Sequence, residues 1–150
     1  MSLLEQIDQD IKKAMLAREK EKLEALRSIK SALMLAKLEK SGPGLNRETE
    51  LRILQKMQNQ RAEAAQIYKE QNREDLRKEE EFQAGVIETY LPSKVNPEEL
   101  KTELEKIIRE TGASSPSDMG KVMGVASKKL AGRADGKEMS RLVREMLSDS

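Results

Sequence analysis

The chain has 150 residues, with 28 Lys+Arg against 27 Asp+Glu, a formal net charge of +1, and neither histidine nor cysteine. Those counts exclude disulfides, zinc sites built from Cys or His, cysteine nucleophiles and every Ser-His-Asp/Glu triad. With only Tyr68, Phe82 and Tyr90 as aromatics and a pI near 7.8, the chain offers neither a base-stacking platform nor the bulk basicity of a nucleic-acid domain.

Helical signals run through the whole sequence. Ser2 with Glu5 has the spacing of a capping box, and Leu3, Leu4, Ile7, Ile11, Ala14 and Met15 then form one apolar stripe. Leu23, Leu26, Ile29, Leu33 and Ala36 continue with helical spacing, together with Lys30 and Lys37, as far as Ser41-Gly42-Pro43-Gly44. Two helices joined near residues 17–20, or one kinked helix, fit this pattern equally well. Pro43 lacks an N–H donor and its glycine neighbours favour non-helical dihedrals, so the segment ends there.

Asn46 is placed to cap a long helix whose inner face carries Leu51, Leu54, Met57, Arg61, Ala64, Ala65 and Tyr68. A further helix is predicted over about residues 72–90, with Leu76, Phe82, Val86, Ile87 and Tyr90 as its apolar positions. Its Lys78-Glu79-Glu80-Glu81 run reads as a solvated face. Arg61, Glu63, Tyr68, Arg73 and Asp75 read as a structural polar cluster where these two helices connect. Pro92 then stops the helix by forcing the preceding residue out of the α region.

Beyond Pro92 the segments are short and explicitly punctuated. Asn96-Pro97-Glu98-Glu99 supplies an N-cap, Pro at the first helical position and an acidic first turn. Thr111-Gly112 ends that helix, Ser115-Pro116-Ser117-Asp118 opens the next, and Asp135-Gly136-Lys137-Glu138 opens a third after Gly132. No run alternates apolar and polar residues as a strand would. The predicted fold class is all-α: an N-terminal helical domain over residues 1–93 and a small three-helix domain over residues 94–150. No apolar stretch approaches the ~18 residues of a membrane helix. The acidic start MSLLEQIDQD does not read as a signal peptide, and the lack of cysteine suits a reducing compartment, so the cytoplasm is the expected location.

The near-zero net charge hides an uneven distribution. Residues 119–144 hold seven cations (Lys121, Lys128, Lys129, Arg133, Lys137, Arg141 and Arg144) and two acids, Asp135 and Glu138, whereas residues 1–93 balance at 17 of each sign. Lys121 and Lys128 share one helical face, as do Lys137, Arg141 and Arg144. If the two helices pack side by side, five cations line one surface around Arg133, as binding to a phosphate backbone requires. The alternative is a solvated face that keeps the domain soluble.

Gly120 and Gly124 lie one turn apart on the first of these helices, each costing about 1 kcal/mol relative to Ala in a helix interior. Close packing of a neighbouring helix is the ordinary reason for such a pair. Close approach of a ligand backbone is the other, and residues 118–120 lie near a helix N-terminus that favours anions. Glu79, Glu80 and Glu81 point in different directions and do not converge on a metal, and Gly132-Arg133-Ala134-Asp135-Gly136 matches no nucleotide-binding loop. No cofactor or metal is expected.

The segments SDMGKVMG at 117–124, Lys129, Gly132, ADG at 134–136 and the Leu142-Val143 helix together resemble the tail of the GatB/YqeY family. LRSIKSAL at 26–33, QRAEAAQIY at 60–68, NREDL at 72–76 and ETYLP at 88–92 are similar to stand-alone YqeY-like proteins. The resemblance covers essentially the whole chain. It implies an N-terminal helical domain followed by a domain similar to the C-terminal tail of the B subunit of the glutamine-dependent aminoacyl-tRNA amidotransferase. That tail contacts tRNA, and the matching positions here are Gly120, Lys121, Gly124, Lys129, Gly132, Ala134 and Gly136. Gly120, Lys121, Gly124, Lys129 and Gly132 of these, with Lys128, Arg133, Lys137 and Arg141 added from the charge pattern, are the candidate RNA-binding residues. The resemblance also implies a carbon–nitrogen ligase activity with glutamine as amido donor, but no catalytic constellation is visible, and the chain is not expected to catalyse that reaction by itself. The expected function is that of a tRNA-interacting accessory protein. Its partners would be tRNA and an aminoacyl-tRNA synthetase or amidotransferase component, and no membrane. The alternative is a helical protein–protein adaptor without RNA binding or catalysis.

Overall fold

In the computed structural model of the protein, residues 1–39, 42 and 44–148 are described. Among them there are seven α-helices and no strand, an all-α architecture. The expected break at Ser41-Gly42-Pro43-Gly44 falls partly outside the described residues, since Ser41 and Pro43 are not among them. The chain divides into two compact units, Met1–Leu91 and Pro92–Ser150.

In the first unit, α1 (Leu3–Leu16) starts where Ser2 Oγ accepts the Glu5 N–H at 3.2 Å. It buries Leu3, Ile7 and Ala14, while Met15 at the end of the stripe stays exposed. The chain then turns through Arg18, whose φ of 58° is left-handed, and α2 (Lys20–Leu38) begins as a separate helix. This resolves the open choice in favour of two helices. Asn46 Oδ1 accepts the Thr49 N–H at 2.8 Å and so caps α3 (Arg47–Glu70). A turn with Asn72 at φ 57° leads into α4 (Glu74–Glu88), shorter at both ends than the periodicity suggested. Ile7, Leu26, Ile29, Leu33, Leu54, Val86 and Ile87 form the shared core. Each such side chain contributes roughly 1.5–3 kcal/mol by leaving water.

The outer half of the α3–α4 hairpin is more polar than expected. Gln58 is only 8% exposed, a buried position that the apolar pattern passes over, and its amide points to the Ala84 carbonyl at 3.5 Å. Arg61 pairs with Glu80 at 3.0 Å across the hairpin, and Glu80 is largely buried, so the 78–81 run is not wholly a solvated face. Arg73 instead pairs with Asp75 at 3.2 Å inside the turn. The expected polar cluster is thus two separate pairs.

In the second unit, Asn96 caps α5 (Pro97–Thr111) by accepting the Glu99 N–H at 2.8 Å. Gly112 ends α5 at φ 71°, a left-handed position that glycine adopts without steric cost. A 3-10 turn (Pro116–Asp118) precedes α6 (Met119–Lys129), and α7 (Gly136–Ser148) closes the unit. Leu100, Leu104, Ile107, Val122, Ala126, Leu130, Met139, Leu142, Val143 and Leu147 pack into one core, recurring at helical steps along α5, α6 and α7.

A basic helical surface in the C-terminal unit

The core fixes which way each cation faces. On α6, Val122 and Ala126 are buried, which turns Gly120, Lys121, Gly124 and Lys128 to solvent. On α7, Met139, Leu142, Val143 and Leu147 are buried, which turns Lys137, Arg141 and Arg144 outward together. The two helices pack against each other within the unit.

The glycine pair departs from expectation. A methyl group added at Gly120 or at Gly124 would meet no atom within 4 Å, so neither glycine makes room for a neighbouring helix. Helix packing, the ordinary reason for such a pair, is therefore excluded within this unit. The reason is geometric: both positions lie opposite Val122 and Ala126. What the glycines create is a bare strip of helix backbone with Lys121 and Lys128 beside it.

Among the described residues Lys121, Lys128, Lys137 and Arg144 form no ion pair within 4 Å, while Lys129 and Arg141 do. Lys129 Nζ bonds Glu110 Oε2 at 3.1 Å, which holds the Glu110 carboxyl below its usual range. Both side chains of that pair are about half exposed, so water screens it. Arg141 pairs with Glu145 one turn on at 3.1 Å. Of the seven cations, Lys129 and Arg141 are thus each matched to one carboxylate, while Lys121, Lys128, Lys137 and Arg144 are not.

Gly132 and Arg133 have a structural part. Gly132 is buried at φ 74°, where it reverses the chain between α6 and α7. The Arg133 carbonyl accepts the Val95 N–H at 3.0 Å, and its Nε donates to the Ser93 carbonyl at 3.1 Å. These bonds fasten the α6–α7 connection to the segment that enters the unit. Ala134 and Asp135 continue it, and the Asp135 carbonyl accepts the Met139 N–H at 3.0 Å to start α7.

The start of α6 is less hospitable to anions than its dipole alone suggests. Asp118 Oδ2 accepts the N–H groups of Ser114 and Ser115 at 2.9 and 3.2 Å. Those bonds, with a smaller contribution from Lys121, hold its carboxyl well below the usual range. A phosphate at the helix terminus would meet that charge. The outward face of α6 is the better place for it.

Among the described residues no group of three or more acidic side chains is placed to hold a metal ion, and no helix is long and apolar enough to cross a membrane.

A family model for Yqey-like proteins matches residues 4–147. The chain is also similar to two yeast proteins named "Altered inheritance of mitochondria protein 41, mitochondrial". The one from Vanderwaltozyma polyspora is 31% identical over 106 residues, covering 69% of this chain and 57% of that protein. The one from Clavispora lusitaniae is 32% identical over 116 residues, covering 75% and 66%. The chain thus spans less than two thirds of the length of these relatives. With its match running from α1 to the last turn of α7, this chain belongs to the Yqey-like protein family.

Proposed function

We propose that the protein is a tRNA-interacting accessory factor whose C-terminal unit holds RNA through phosphate contacts. The observation that carries this reading is the outward face of α6, where Gly120 and Gly124 leave bare backbone between unpaired Lys121 and Lys128. A phosphodiester chain can approach such a strip more closely than any other helical face of the unit. Lys137 and Arg141 extend the positive field along α7. Lys129 and Arg133 join it by exchanging Glu110 and the Ser93 carbonyl for phosphate. Gly132 acts indirectly by setting the turn that presents the two helices. This mode reads the shape and charge of a folded RNA rather than its base sequence, which agrees with the scarcity of aromatics.

The resemblance to the amidotransferase B-subunit tail supports tRNA as the RNA in question, with a synthetase or amidotransferase component as the protein partner. In this reading the protein assists glutamine-dependent carbon–nitrogen ligation rather than performing it, because a chain without cysteine lacks the cysteine route to glutamine hydrolysis. The test is direct binding of bulk tRNA to the intact chain and to a Lys121→Glu/Lys128→Glu variant. Binding that weakens at least ~10-fold in the variant supports the reading, and equal binding removes it.

A protein-adaptor reading has one observation in its favour, the exposure of Met15, Leu16, Leu35 and Leu38 on the N-terminal unit. A stoichiometric protein partner retained after nuclease treatment, with no tRNA binding, would establish it instead.

A further inference from the structure

We infer that the N-terminal unit carries a docking groove for a basic polypeptide segment, anchored on Phe82. This goes beyond the RNA reading and does not depend on it. Phe82 belongs to α4 but is 41% exposed and stands outside the apolar core that Val86 and Ile87 join one turn further on. Its ring borders three adjoining cavities. The largest, about 570 Å³, extends along α4 past Gly85 to Tyr90 and Asp10. Gly85 leaves open space above the helix backbone, since a methyl group there would meet nothing within 4 Å. Phe82, Gly85, Val86 and Tyr90 thus give the groove an apolar strip, and Asp10, Lys22 and Glu81 line it as well.

The smallest cavity, about 110 Å³, gives the groove its chemistry. Glu21 and Glu24 of α2 and Glu79 of α4 face it together with Gln83 and the Phe82 ring. Among the described residues none of these three carboxylates has an ion-pair partner within 4 Å, although lysines and arginines abound in the chain. Three like charges beside an aromatic ring repel one another and repel phosphate. A guanidinium relieves that repulsion, bonds two carboxylates through its planar fork and places its positive face against the ring. The third cavity, about 550 Å³, opens at the α1–α2 turn, where Arg18, Lys20 and Lys22 alternate with Glu19 and Glu21, so that around the three cavities six carboxylates outnumber three cations.

The groove is too long for one small cation and of the wrong sign for RNA. Charge complementarity selects a polypeptide that inserts one arginine or lysine between Glu21, Glu24 and Glu79 and lays an apolar side chain over Phe82 and Gly85. Exposed aromatic side chains bordering a pocket are the usual centres of binding energy in such contacts.

The test uses the intact chain and a fluorescein-labelled amphipathic helical peptide with leucines along one face and arginines one turn apart. A matched peptide carries citrulline in place of arginine, which keeps the planar shape but removes the charge and replaces one donor nitrogen by a carbonyl oxygen. The arginine peptide binds saturably, and the citrulline peptide binds at least ~10-fold more weakly. Phe82→Ala and the Glu21→Gln/Glu24→Gln/Glu79→Gln variant each lose at least ~10-fold, with unchanged circular dichroism, whereas Lys121→Glu/Lys128→Glu in the other unit loses nothing. The carboxamide variant keeps the test decisive should Phe82→Ala fold poorly, because its three positions carry no core packing. Absence of saturable binding overturns the proposal. So does equal binding of the citrulline peptide, equal binding by the carboxamide variant, or displacement of the peptide by tRNA.

Discussion

The Tyr90 hydroxyl donates a hydrogen bond to Asp10 Oδ2, tying the residues just past α4 to the middle of α1 across 80 positions of sequence. Burial, and next the Asp10 carboxylate, push the tyrosine's ionisation upward from its usual range. Tyrosine in an unfolded chain ionises near pH 10. Between that pH and the raised native value the unfolded chain has lost a proton that the native one keeps, so stability falls as pH rises through this window. Tyr90→Phe is expected to cost about 1 kcal/mol at neutral pH and to flatten the loss of stability above pH ~10. Urea unfolding of both forms across the alkaline range measures it.

Gly124→Ala separates a glycine kept for packing from one kept for a ligand. Because the added methyl meets open space, the substitution should stabilise the α6 helix by about 0.5–1 kcal/mol. The same methyl should weaken tRNA binding by raising the backbone strip. Thermal unfolding and a tRNA titration on one preparation give both numbers. A destabilised variant would mean that α6 packs against something here unaccounted for.

Acid should act on the C-terminal unit through Asp118 and Glu110. Both carboxyls are held low in the native unit, the first by the Ser114 and Ser115 N–H groups and the second by Lys129. A lowered native value means the stabilisation is present above the unfolded carboxyl pKa and is lost as pH falls below ~4. Asp118→Asn should therefore be less stable than the parent at pH 7 and lose less on acidification. Amide exchange of α6 across pH 3–7, corrected for intrinsic rates, reads the difference.

Leu104→Ala opens a cavity where α5 meets α6 and α7, and is expected to cost about 2–5 kcal/mol. Chemical denaturation followed through amides of the second unit checks that these helices share one core.

How far the sequence foretold this molecule differs by residue. Asn46 and Asn96 announced their helices because an amide oxygen four or five positions before the first buried leucine is a local device, complete within one turn. The core of α5–α7 was legible for the same kind of reason, since period and burial coincide from Leu100 to Leu147. Near residues 17–20 the sequence left two helices and one kinked helix equally open, because the turn there uses Arg18 in a left-handed conformation instead of glycine or proline. Gln58 was missed because a polar side chain buried between two helices leaves no mark in apolar periodicity. The orientation of Gly120 and Gly124 could have been read from their position opposite Val122 and Ala126, but small residues suggested packing and that suggestion prevailed. Phe82 was counted with Val86 as apolar, and only the tertiary arrangement shows the ring standing outside the core.

The salt dependence of tRNA binding reads the proposed phosphate contacts themselves, because each phosphate neutralised by a lysine or arginine releases counterions and steepens the plot of log K against log salt by about 0.7–0.9. Lys121, Lys128, Lys137 and Arg141 are expected to contribute about −3 to that slope if each meets one phosphate. Replacing those four residues by glutamine should make the slope shallower by about that amount while the fold and its melting temperature stay unchanged. A slope that is the same in both proteins would contradict the account, since the cations on the outward faces of α6 and α7 would then play no part in holding RNA.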